Sequence, residues 1–135
     1  MTGRCLCERV RFELTERPSV WGYCHCTRCQ RRTGTAASPN AAIDASWLRI
    51  LSGEELIRAY RPPDGFDKLF CSECGSGLFS RNPQDPSVMG VRLGVLDEPP
   101  DVPPSWRQHV GSAASWEPIP DDGLPRFEGR RTTPR

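Results

Sequence analysis

Seven cysteines fall into three tight groups: Cys5-Leu6-Cys7, Cys24-His25-Cys26-Thr27-Arg28-Cys29, and Cys71-Ser72-Glu73-Cys74 followed by Gly75. Nothing else in the chain constrains the fold as strongly. Thiols at these spacings are metal ligands before they are disulfide partners, and an odd number leaves one thiol over in any purely intramolecular disulfide framework. The first and third groups make four thiolates in two pairs. In the C-x-x-C-G form the glycine lets the chain turn, so that both sulfurs face one ion. Four sulfurs at about 2.3 Å complete a tetrahedral Zn²⁺ shell with no open position, which is a structural site. Such a site closes a loop of more than sixty residues and makes metal binding part of the folding free energy.

The middle group is different. In an extended C-H-C, Cys24 and Cys26 point to one side and His25 to the other. Cys29 can curl back from the first turn of a helix. Three sulfurs then meet one ion, and no eighth cysteine supplies a fourth. Three protein ligands with a fourth position left for water or substrate is the pattern of catalytic zinc. A thiol is the natural soft ligand for that position. Competing readings are seven ordinary buried cysteines, a triplet sharing one zinc with one of the pairs, and a metal-free redox thiol cluster. His25 also reads as a plain packing or surface residue. His109, the second histidine of two, reads as a hydrogen-bonded core or rim side chain or as a further ligand of the second site.

The remainder of the chain suits a small metal-held domain. Fourteen prolines and twelve glycines in 135 residues, with 36% hydrophobic residues, argue against a helical bundle and for a modest core. A net charge of +1 argues against bulk binding to nucleic acid or to an anionic membrane. The N-terminal stretch lacks an apolar signal region, and no run approaches the roughly 18 apolar residues of a membrane span. The expected location is cytoplasmic. All basic residues but Lys68 are arginine; coding bias accounts for this, and guanidinium also suits carboxylate ligands.

Alternating V-R-F-E-L at 10–14 predicts a half-buried strand with Val10, Phe12 and Leu14 on one face. Residues 19–24 predict a second strand leading into Cys24. Thr27 to Thr33 predicts a short helix, with Thr27 as N-cap and Gly34 as the stop. Residues 35–46 read as a loop or irregular strand. Short strands are expected at 47–51, 54–60, 66–71, 77–81, 91–95 and 106–110. Residues 97–104 carry four prolines and cannot be regular structure. A single domain over 1–128 and a flexible tail over 129–135 are expected.

The segments G-R-C-L-C-E-R-V-R-F-E, C-H-C-T-R-C-Q-R-R-T-G and L-F-C-S-E-C-G-S-G-L-F resemble the glutathione-dependent formaldehyde-activating (GFA) family, which includes centromere protein V. The similarity continues in G-V-L-D, in Gln108-His109-Val110 and in S-W-E-P-I-P-D-D-G-L-P-R-F, and so covers nearly the whole chain. It implies a mainly β fold of the Mss4-like type, with zinc-held antiparallel sheets and short helical turns. It implies two zinc ions, one structural at Cys5, Cys7, Cys71 and Cys74, and one catalytic at Cys24, Cys26 and Cys29. The activity implied is addition of glutathione to formaldehyde, that of a carbon–sulfur lyase. Arg28, Arg31 and Arg32 flank the triplet and could grip the carboxylates of glutathione, or could simply form a solvated helix face. His25 or His109 could protonate a developing alkoxide. Two features depart from the family pattern: Glu8 stands where members often have glycine, and T-A-A-S-P-N-A-A follows Gly34 where members often place aromatic and apolar residues. Other classes left open are a zinc-stabilised binding module and a thiol or zinc redox sensor without turnover.

Overall fold

The structure, a computed structural model, describes residues 1–132. Among the described residues the chain is mainly β. In chain order the elements are β1 (Thr2–Arg4), β2 (Arg11–Leu14), β3 (Trp21–Cys24), α1 (Thr27–Thr33), β4 (Ser38–Asp44), β5 (Leu48–Ser52), β6 (Ile57–Tyr60), β7 (Asp67–Cys71), β8 (Gly77–Arg81), β9 (Val88–Arg92) and β10 (Arg107–Gln108), with four short 3₁₀ turns. The described residues divide into two compact units, Met1–Ser19 with Ala41–Asp101, and Val20–Asn40 with the described residues from Val102 on. β4 begins in the second unit and ends in the first.

The first unit holds an antiparallel sheet in the order β1-β2-β5 and an antiparallel run β9-β8-β7-β6, with the end of β4 beside β9. The expected apolar face of β2 is real: Val10, Phe12 and Leu14 are all buried. Phe12 meets Phe79 of β8 edge-on, with ring centroids 5.0 Å apart. Full burial of such a side chain stabilises by about 1.5–3 kcal/mol, and an edge-on pair adds about 0.5–1.5 kcal/mol. Ile43, Leu78 and Val91 complete this core. Gly3 of β1 is required by it, because a Cβ there would lie 2.2 Å from the Phe12 ring.

The second unit is built on β3, with neighbours β10 and the start of β4. The β3–β10 pair is parallel, with Tyr23 opposite Arg107 and Cys24 opposite Gln108. The Trp21 indole N–H donates to the Val102 carbonyl at 2.7 Å, and the Ser105 N–H donates to Trp21 at 2.9 Å. These bonds seat the chain on β3 as it leaves the proline run. Residues 129 and 131, part of the expected tail, are hydrogen-bonded here: His109 N–H donates to Gly129 at 2.8 Å, and Arg131 N–H donates to the Gln108 side chain at 3.1 Å. Residues 133–135 of that tail lie outside the described residues.

Three local expectations are corrected. The N-cap of α1 is Cys26, whose sulfur accepts the Cys29 N–H at 3.3 Å, and Thr27 is the first helical residue. Gly34 ends the helix as expected, in the left-handed region at φ 70°. Residues 38–44 form the regular strand β4, with Ser38, Ala41 and Ile43 buried. The 91–95 strand stops at Arg92, and Leu93–Val95 is a 3₁₀ turn.

Candidate metal centres

The first unit brings Cys5, Cys7, Cys71 and Cys74 together, with all four sulfurs within 4.8 Å of one another. The Cys5–Cys7 sulfurs are 3.5 Å apart and the Cys7–Cys71 sulfurs 3.9 Å. Tetrahedral sulfurs around zinc stand about 3.8 Å apart, given bonds of about 2.3 Å. The donor set therefore fits a closed thiolate site. Both pairs use the same local device. After Cys7 the chain turns through Glu8 at φ 65°, and after Cys74 through Gly75 at φ 77°. The Glu8 N–H returns to the Cys5 carbonyl at 3.1 Å, and the Gly75 N–H returns to the Cys71 carbonyl at 2.8 Å. The Glu8 carboxylate pairs with Arg4 at 2.9 Å and with Arg11 at 3.7 Å.

Thiols this close compete for charge. Burial opposes ionisation of Cys74, but the Ser76 hydroxyl, 3.3 Å away, and nearby backbone N–H groups outweigh it and hold this thiol down at about 5. At Cys7 the Arg9 N–H favours the thiolate, yet partial desolvation and the sulfurs of Cys5, Cys74 and Cys71 push it up to about 11. A cation among the sulfurs relieves that competition.

The second unit brings Cys24, Cys26 and Cys29 within the same 4.8 Å limit. Cys24 ends β3, Cys26 caps α1 and Cys29 lies in its first turn. Cys24 and Cys29 are buried and Cys26 is half-exposed. The Cys26 thiol is strongly lowered, first by hydrogen bonding with the sulfurs of Cys24 and Cys29 and then by the N–H groups of Cys29 and Arg28. The Cys24 thiol is raised by the same neighbours. Three converging sulfurs suit a soft cation.

Neither histidine joins a cluster among the described residues. His25 is buried, and its Nε2 lies 3.1 Å from Nη1 of Arg107. His109 is half-buried, sits at φ 56° and directly follows Gln108, the register partner of Cys24. On α1, Arg28 and Arg31 are exposed and Arg32 is half-buried; Arg31 and Arg32 occupy the last turn, where cations favour the helix dipole. Sequence reasoning missed Gln30, Arg107 and Asp122. Gln30 Nε2 donates both to the His25 carbonyl at 2.8 Å and to the Ser112 carbonyl at 2.9 Å. No helix of the described residues is long and apolar enough to cross a membrane.

The structure thus defines a mainly β protein carrying two thiol clusters of metal-ligand geometry. The chain belongs to the family described as glutathione-dependent formaldehyde-activating enzyme (GFA), whose sequence model matches residues 1–112. It is similar to a Halomonas elongata protein provisionally named glutathione-dependent formaldehyde-activating enzyme, at 28% identity over 82% of this chain and 73% of the relative. It is also similar to a Rhodobacter sphaeroides protein of known crystal structure, with TM-score 0.59 and 28% identity over 77% of this chain and 92% of that one.

Proposed function

We propose that both clusters hold zinc, the four-cysteine site as a structural tie and the three-cysteine site as the centre of a carbon–sulfur lyase that joins a small thiol to a small aldehyde. The convergence of Cys24, Cys26 and Cys29, with no fourth ligating residue in the cluster among the described residues, carries this reading. A zinc ion held by these three sulfurs would lower the pKa of an incoming thiol below its free value of about 8.5, so that a thiolate would be available near neutral pH.

The sulfur of the thiol substrate attacks the aldehyde carbon. A C–S bond forms, the carbonyl π pair moves to oxygen, and that oxygen takes up a proton to give a hydroxyalkyl thioether. The chain's own side chains bind and protonate. Arg28 and Arg31, exposed on α1, suit the carboxylates of a substrate such as glutathione, as does the half-buried Arg32 of the same helix. His109 is the candidate proton donor, because it follows the residue paired with Cys24. Formaldehyde is the aldehyde suggested by the family description. Reduced cysteines and a reduced thiol substrate fit a cytoplasmic setting.

The test is titration of reduced, zinc-loaded protein with glutathione, following zinc per chain and the heat of binding together. Two zincs with saturable binding that disappears in Cys26→Ser support the reading. Two zincs with no glutathione binding would sink glutathione as the substrate and favour another thiol or a binding role without turnover.

A further inference from the structure

His25, the residue between the first two sulfurs of the triplet, is held at three of its polar groups. Its N–H donates to the Gln108 carbonyl at 3.0 Å, and its carbonyl accepts from Gln30 Nε2 at 2.8 Å. Its ring Nε2 faces Nη1 of Arg107 at 3.1 Å, in a buried setting. Arg107 is itself fixed. Its Nε and Nη2 both reach Oδ2 of Asp122 at 2.9 Å, and its guanidinium lies 4.2 Å over the Tyr23 ring. Asp122 in turn accepts the Leu124 N–H at 3.1 Å.

The chemistry of the pair is one-directional. A guanidinium has donors and no acceptor, so His25 Nε2 must offer its lone pair and the ring proton sits on Nδ1. A ring whose Nε2 lone pair is engaged by an arginine is poorly suited to deliver a proton from that nitrogen. It is well suited to hold the backbone from which Cys24 and Cys26 project.

We infer that Arg107, anchored by Asp122, is a positioning residue for the three-cysteine centre and acts through His25. This rests on the reading that the triplet holds a zinc ion. Arginine supplies a rigid fork, two arms to the carboxylate and one to the imidazole, which lysine's single ammonium cannot reproduce. Outer-shell partners of metal ligands typically carry 10–100-fold in metal affinity.

The experiment follows zinc release from the zinc-loaded protein to a chromophoric chelator. The thiolate-to-metal absorption band of the cobalt-loaded protein is recorded alongside. Wild type should show two release phases, one of which Cys26→Ser removes. His25→Leu and Arg107→Leu should speed that phase by about 10–100-fold and shift its cobalt band, with the other phase unchanged. His25→Gln, whose side-chain oxygen can still accept from Arg107, should restore release to within about 3-fold of wild type. Asp122→Asn alters a partly exposed residue and should speed the same phase by a smaller factor; it decides the matter if the leucine variants do not fold. Unchanged triplet release and cobalt band in the folded variants overturn the positioning role. Equal acceleration of both phases also overturns it, since that is general loosening. A wild type holding a single zinc overturns the reading of the triplet itself.

Discussion

The sulfur of Cys7 lies 3.9 Å from that of Cys71, 64 residues further along the chain. A contact so distant in sequence, in a small β unit, is costly in chain entropy until something binds both ends. Structural zinc binds finger peptides with on the order of 10 kcal/mol, comparable with the whole stability of a domain. Cys71→Ser, at a buried cysteine of the proposed structural site, should therefore leave the protein largely unfolded by circular dichroism. Cys26→Ser should keep a folded spectrum and lose one zinc. If the two variants unfold alike, the division of labour between the clusters is wrong.

Gly22 stands directly beneath the Trp106 indole. A Cβ at Gly22 would lie 2.3 Å from the ring and 2.5 Å from the Trp106 carbonyl oxygen, which accepts the Tyr23 N–H. The backbone oxygen cannot step aside without breaking the β3–β10 pairing. Gly22→Ala should cost about 1–3 kcal/mol or more in urea unfolding. Gly94→Ala, where an added Cβ meets nothing within 4 Å, should stay within about 0.5 kcal/mol. Similar midpoints for the two variants would contradict this account.

Glu8 is a non-glycine residue in the left-handed region, at φ 65°. That conformation costs a residue with a Cβ about 1–2 kcal/mol. Glu8→Gly removes the strain but gives up exposed ion pairs to Arg4 and Arg11, worth about 0.2–1 kcal/mol, and adds freedom to the unfolded chain. The net change should be small, within about 1 kcal/mol. Glu8→Val, with a branched Cβ in the same turn, should lower the melting temperature clearly.

The Asp122 carboxyl is held below the ordinary carboxylate range, first by the Leu124 N–H and then by Arg107, against some burial. Its folded-state pKa is depressed, so its contribution is fully present above the unfolded value of about 3.9 and is lost as pH falls through the folded value. The stability difference between wild type and Asp122→Asn should therefore be constant near neutrality and shrink below about pH 4. A difference that grows on acidification would contradict the assignment.

The parts of the fold readable in advance are those with a local signal. Val10, Phe12 and Leu14 alternate, and all three are buried. Gly34 ended a short helical pattern, and it does so at φ 70°. The cysteine spacings marked both clusters, the local triplet and the pair of pairs that meets across more than sixty residues. β4 escaped because its buried side chains, Ser38, Ala41 and Ile43, are mostly small and break strict alternation. β1 escaped because its centre is Gly3, chosen to clear the Phe12 ring. The alternation of Val91, Leu93 and Val95 overran its strand, since the chain tightens into a 3₁₀ turn after Arg92. Arg107 and His25 meet across 82 residues with no shared motif, and only the β3–β10 register brings them together.

The order in which the chain visits its two units has a consequence for biosynthesis. Each unit takes residues from two separate stretches, and β4 passes from one to the other. On the ribosome, chains emerge N-terminus first, at about 5–20 residues per second. The unit ending at Asp101 has its four cysteines and all its strands translated while β10 is still unmade. The three-cysteine unit, although its thiols appear early, waits for Arg107, Gln108 and Asp122. A nascent chain therefore has all four cysteines of the first cluster in hand before the three-cysteine cluster gains its neighbours from the C-terminal stretch.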